Sequence, residues 1–89
     1  MHAAKMLAEA VALARQLGYQ IREDDLEGAG GGHCTYGQKK WLLLDVTQSS
    51  DEQLRDAVDA LRDEPNVWNL VITTPLADRL RPSTFSRAA

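Results

Sequence analysis

Cys34 is the only cysteine of the chain; His33 stands directly before it, and both follow Gly28-Ala29-Gly30-Gly31-Gly32. Three chemistries are open to such a run. Clustered glycines expose backbone N–H groups that can cradle an anion, a thiolate can act as a nucleophile, and sulfur with imidazole can ligate a metal. Each needs more than residue type. A phosphate loop requires Gly-x-x-x-x-Gly-Lys-Ser/Thr between a strand and a helix. Here the glycines lead toward another strand, with no Lys-Ser or Lys-Thr behind them. A reactive thiol wants a base beside it, but consecutive strand residues point to opposite faces, so His33 is badly placed to serve Cys34. A structural zinc wants four ligands at recognisable spacing, and Cys34, His33 and the distant His2 do not supply them. Gly30, Gly31, Gly32, His33 and Cys34 therefore stand as a speculative ligand site. The competing reading is a sharp bend into a hairpin, with Cys34 buried as a small apolar residue.

Other chemical groupings fare no better. Glu23, Asp24, Asp25 and Glu27 lack the alternating acidic pattern and distal Glu of a calcium loop. No Ser, His and Asp arrangement can be nominated as catalytic. Trp41 and Trp68, the two tryptophans, are candidates for an interaction surface, because tryptophan is enriched at binding hot spots. The expectation is no catalytic residue, no metal and no cofactor.

The elements that must position these residues follow from spacing. Ala3–Leu17 is rich in helix formers, with Met6, Ala10, Leu13 and Leu17 along one side and Gly18 as a stop. Tyr19–Arg22 alternates as a short strand. A hairpin is expected to pair His33–Tyr36 with Lys40–Val46 around Gly37-Gln38-Lys39, with Cys34 facing inward beside Leu42 and Leu44. Ser49 and Ser50 each lie three residues before an acceptor, Glu52 and Gln53, giving overlapping capping boxes for a second helix from about residue 50. Its stripe is Leu54, Ala57, Val58 and Leu61, and Pro65 ends it. Val67–Thr73 has the composition of a further strand, and Thr74–Leu80 that of a short helical turn with Pro75 at its first position. The sequence predicts an α+β two-layer domain in the order α-β-β-β-α-β, with helices on one face of a small, mainly antiparallel sheet.

Eighty-nine residues with 44% hydrophobic content suit one domain with a modest core. Residues 1–74 are expected to be its body, and 75–89 a basic tail, loosely docked or disordered, that carries Arg79, Arg81 and Arg87 against Asp78. A net charge of −3 gives no footprint for general binding to nucleic acid or anionic membrane. A lone cysteine favours a reducing compartment, the cytoplasm. Glu9 interrupts the apolar stretch near the N-terminus, which reads as a folded helix rather than a targeting segment.

Leu17-Gly18-Tyr19-Gln20-Ile21-Arg22, Gly31-Gly32-His33-Cys34 with the hairpin to Asp45, and Asp51-Glu52-Gln53-Leu54 together resemble small uncharacterised bacterial proteins with a Gly-Gly-x-Cys hairpin. The order of elements over residues 4–64 is also similar to minimal zinc-metallopeptidase-like domains, whose second helix carries His-Glu-x-x-His. Here that position reads Leu54-Arg55-Asp56-Ala57-Val58-Asp59-Ala60-Leu61-Arg62. Neither histidine is present, so the resemblance implies an inactive relative and carries over no site residue.

These observations favour a non-enzymatic domain that binds another protein or associates with itself. The alternatives are a thiol-dependent or small-ligand function at Cys34 and Gly28–Gly32, and an accessory, antitoxin-like subunit that folds fully only with its partner.

Overall fold

A computed structural model describes residues 2–81. Helix α1 (Ala3–Gln16) leads into strand β1 (Tyr19–Asp24), followed by β2 (Gly32–Tyr36), β3 (Lys39–Asp45), helix α2 (Ser50–Arg62), a 3-10 helix (Pro65–Asn69) and helix α3 (Thr74–Leu80). The protein is an α+β domain in which α1 and α2 pack on each other and on one face of a three-stranded sheet. No helix among the described residues is long and apolar enough to cross a membrane.

The strand order is β1-β3-β2, with β1 parallel and β2 antiparallel to the central β3. The sheet is therefore mixed rather than mainly antiparallel. Because β1 and β2 both border β3, the connection from Asp24 to Gly32 must step across the end of β3. That crossing is the task of the glycine run.

The core joins Ala10, Leu13 and Ala14 of α1 to Leu54, Ala57, Ala60 and Leu61 of α2 and to Leu42 and Leu44 of β3. Alanines at the α1–α2 contact let the helix backbones approach closely while both still cover the sheet. The first of the two capping boxes starts α2. Ser49 Oγ accepts from Glu52 N at 3.2 Å, and Ser49 N donates to Glu52 Oε1 at 3.1 Å. Such a cap contributes about 1 kcal/mol.

Two elements depart from the sequence reading. Val67–Thr73 makes no strand: Pro65 opens a 3-10 helix, with Val67 N donating to Glu64 O and Leu70 N to Val67 O. Val67 is buried and Leu70 and Ile72 partly so, whereas Val71 is 96% exposed. The inward residues thus run 67, 70, 72, a turn-like spacing that overrides β-branched composition. Thr74–Leu80 is helical as expected, and departs only in its docking, with Leu76, Ala77 and Leu80 buried. The body extends through residue 80 rather than ending at 74, and the rest of the expected tail, 82–89, lies outside the described residues.

Candidate interaction surface and the glycine loop

The hairpin turn fixes which side chains face where. Tyr36 pairs with Lys39 across a two-residue loop, Gly37-Gln38, and only the first of these has positive φ (63°), the pattern of a type II′ turn. The expected loop was one residue longer and would have set Cys34 against Leu42. Instead Cys34 pairs with Trp41, and His33 with Leu42. A one-residue change of register moves every side chain of a strand to the other face. Cys34 is accordingly exposed rather than inward, and His33 lies on the helical side.

His33 Nε2 is 2.6 Å from Asp63 Oδ2 at the end of α2. Its neighbour in the layer is an ion pair, Lys40 Nζ to Glu64 Oε1 at 2.6 Å, with the ammonium 5.0 Å from the Tyr19 ring centroid. Burial, the Glu64 charge and hydrogen bond, and the Asp63 charge push the Tyr19 phenol up to about 12. These contacts pin the start of β1 and β3 to the end of α2. His33 and Cys34 point to opposite faces, so no base serves the thiol.

The glycine loop closes on itself. Leu26 N and Gly30 N donate to the Asp45 carboxylate at 3.2 and 3.1 Å, Glu27 N to Asp25 at 2.9 Å, Gly28 N to Thr47 Oγ1 at 3.1 Å and Gly31 N to Asp56 Oδ2 at 3.1 Å. Ala29 N donates to Leu26 O at 3.0 Å. Every amide from Leu26 to Gly31 is thus paired within the chain, which leaves none aimed at an external anion. Glycine is required at 31 because a Cβ there would stand 1.9 Å from the Leu43 carbonyl oxygen. It is required at 30 by a φ of 88°.

Asp45 is the peg around which this loop is wound, and the sequence reading missed it. It is fully buried at the end of β3 and also accepts from Thr47 N at 3.0 Å and Thr47 Oγ1 at 2.6 Å. Burial pushes its carboxyl up. The hydrogen bonds from the Thr47 side chain and from the amides of Gly30, Thr47 and Leu26 outweigh that and hold it down at about 2. An internal carboxylate takes the place that a bound phosphate would have in a nest.

The other face of the sheet has no covering layer among the described residues. It carries Trp41 and Leu43, both half-buried, with Cys34, Tyr36, Gln20 and Arg22 exposed around them. Tyr36 is 81% exposed. Trp68 is elsewhere: it is half-exposed on the 3-10 helix that packs against α2, on the helical side. The structure therefore groups Trp41 with Cys34 and separates both from Trp68 and His33. The signal available for Leu43 was the unbroken run Trp41-Leu42-Leu43-Leu44, since a strand apolar at consecutive positions is built to be covered on both faces.

One further surface feature lacks convergent chemistry. A shallow groove of about 320 Å³ between α1 and β1 is lined by Ala4, Leu7, Val11 and Leu44, with Arg15 and Glu23 as its polar groups. Among the described residues, no three His, Cys, Asp or Glu side chains gather as a metal-binding group. No family model, no curated protein and no solved structure matches this chain.

Proposed function

We propose that the chain is a small non-enzymatic binding domain, working in the cytoplasm, that holds another protein at the open face of its sheet and the adjoining β2 edge. The observation that carries this reading is the two-sided apolar character of β3. Leu42 and Leu44 face the helices and are buried, while Trp41 and Leu43 face out. Apolar area left on a central strand becomes favourable only when something covers it, at about 25 cal/mol per Å². The likeness to small bacterial proteins with a Gly-Gly-x-Cys hairpin belongs to this proposal and rests on the residues quoted above.

Leu43→Asp tests it. The side chain projects away from the core, so far-UV circular dichroism should be unchanged, while proteins retained by the immobilised wild-type chain at that face should be lost at least tenfold. Retention equal for variant and wild type, or a chain that retains nothing, overturns the reading.

The second reading, a thiol or small-ligand function at Cys34 and Gly30–His33, draws on the exposure of the thiol. It has no free loop amide and no base beside the sulfur to work with. A rise in Tm on adding inorganic phosphate would revive it, because a ligand that binds only the native state must stabilise that state.

A further inference from the structure

The two edges of the sheet are built differently. Edge strand β1 carries Arg22, Glu23 and Asp24, charges of the kind that keep edges from pairing with other chains. Edge strand β2 reads Gly32-His33-Cys34-Thr35-Tyr36, with neither a carboxylate, a lysine, an arginine nor a proline. On its inner side β2 meets β3, and no described element lies along its outer side. The pair flanking a two-residue turn is hydrogen-bonded, and bonded and non-bonded pairs then alternate along the ladder. Tyr36, Cys34 and Gly32 therefore spend their backbone groups on β3, and those of His33 and Thr35 point outward.

We infer that the partner is a second copy of this chain, paired antiparallel through β2 about a two-fold axis at Cys34. This rests on the reading of the sheet as a protein-binding surface and names the occupant of its β2 edge. The outward register admits this pairing: His33 of one copy and Thr35 of the other exchange N–H and C=O bonds in both directions. Cys34 then meets Cys34 as a non-hydrogen-bonded pair, the arrangement in which side chains come closest. Side-chain shape agrees with the backbone. Tyr36, 81% exposed, falls opposite Gly32 of the other copy. A Cβ built on Gly32 meets nothing within 4 Å, so the space above it is free to receive the ring, as aromatic residues cover cross-strand glycines elsewhere. The result is one continuous six-stranded sheet. Its open faces lie side by side, and its remaining edges are the two charged β1 strands.

Sedimentation of the full chain and oxidation by copper phenanthroline test this. The expected species has about twice the 9.8 kDa chain mass, and it cross-links through Cys34, because the Cα separation of about 4.5 Å in such a pair falls within the ~4.4–6.8 Å that a disulfide spans. Gly32→Lys puts a charged side chain where Tyr36 must sit, without a clash in the single copy. It should sediment as a monomer and cross-link at least tenfold more slowly. Tyr36→Ser, at a site too exposed to affect folding, should weaken association at least tenfold. A monomer at every concentration overturns the inference, as does a dimer that survives both substitutions uncross-linked. In either case a different protein that is lost on Leu43→Asp would leave the broader reading standing.

Discussion

From Leu26 to Gly31 every backbone N–H has a partner inside the chain, whereas Tyr36 and Cys34, only a few residues further on, have their side chains turned to solvent. The loop concentrates the glycines, while the open face holds the only cysteine, Cys34, and one of the two tryptophans, Trp41. Rarity in the loop reports an internal constraint, a chain crossing the end of β3 around a buried carboxylate. On the face, Trp41 and Leu43 are half-buried and Cys34 and Tyr36 exposed, with no covering layer among the described residues. Unusual composition is common to both regions, and what differs is whether a region's groups are already engaged inside the chain.

The largest effect that could break this contrast is expected at Gly31. Gly31→Ala drives a Cβ into the Leu43 carbonyl, a backbone clash that should cost about 3 kcal/mol, roughly 15 °C in Tm. Gly32→Ala, one residue on, has open space and an ordinary φ and should be neutral or stabilising by up to about 1 kcal/mol. Equal effects at the two positions would mean that the loop does not cross β3 so closely.

Asp45→Asn should give a smaller drop of several degrees, since an amide cannot accept every hydrogen bond that the carboxylate takes from Leu26, Gly30 and Thr47. Its pH signature is distinctive. A carboxyl held at about 2 when folded, against about 4 when unfolded, contributes stability that is present in full above pH ~4 and lost as pH falls toward 2. The acid limb of a Tm-against-pH curve should therefore be shallower in the variant. An unchanged limb would remove Asp45 from the loop's support.

The smallest change is expected at the exposed thiol. Cys34→Ser should alter stability by no more than about 0.5 kcal/mol, and a thiol reagent should modify Cys34 in the folded, dilute chain as readily as after unfolding. A thiol inert until unfolding would return Cys34 to the core and reverse the hairpin register.

How far the sequence carried the reading depends on where the deciding contact lies. The α1 stripe, the Ser49–Glu52 box and the existence of the β2–β3 hairpin follow from local spacing and are present, although the hairpin's register is not the expected one. The placement of Cys34 turned on a single residue of turn length, which composition around Gly37 leaves open. The segment after Pro65 failed for another reason: Val67, Val71 and Ile72 favour a strand, but both sheet edges lie away from it, and packing against the core chose local turns. Asp45 was invisible because a lone acid after an apolar run looks like the strand's wet end. Besides Thr47 close by, its loop partners Gly30 and Leu26 lie 15 and 19 residues away. The loop's role as a bend rather than a cradle was legible in its missing Lys-Ser, though what holds the bend was not.

The Asp45 peg is also expected to bear on the order in which the molecule opens. The β2–β3 hairpin closes across two residues, while β1 joins β3 only after the chain has looped past its end. In amide hydrogen exchange, Leu26, Gly30 and Thr47 should therefore lose protection together, as one cooperative unit with β1, while the hairpin amides remain slow. Loss of that single buried carboxylate should thus show first in the parallel strand, as earlier exchange of β1 amides in Asp45→Asn than in the wild type.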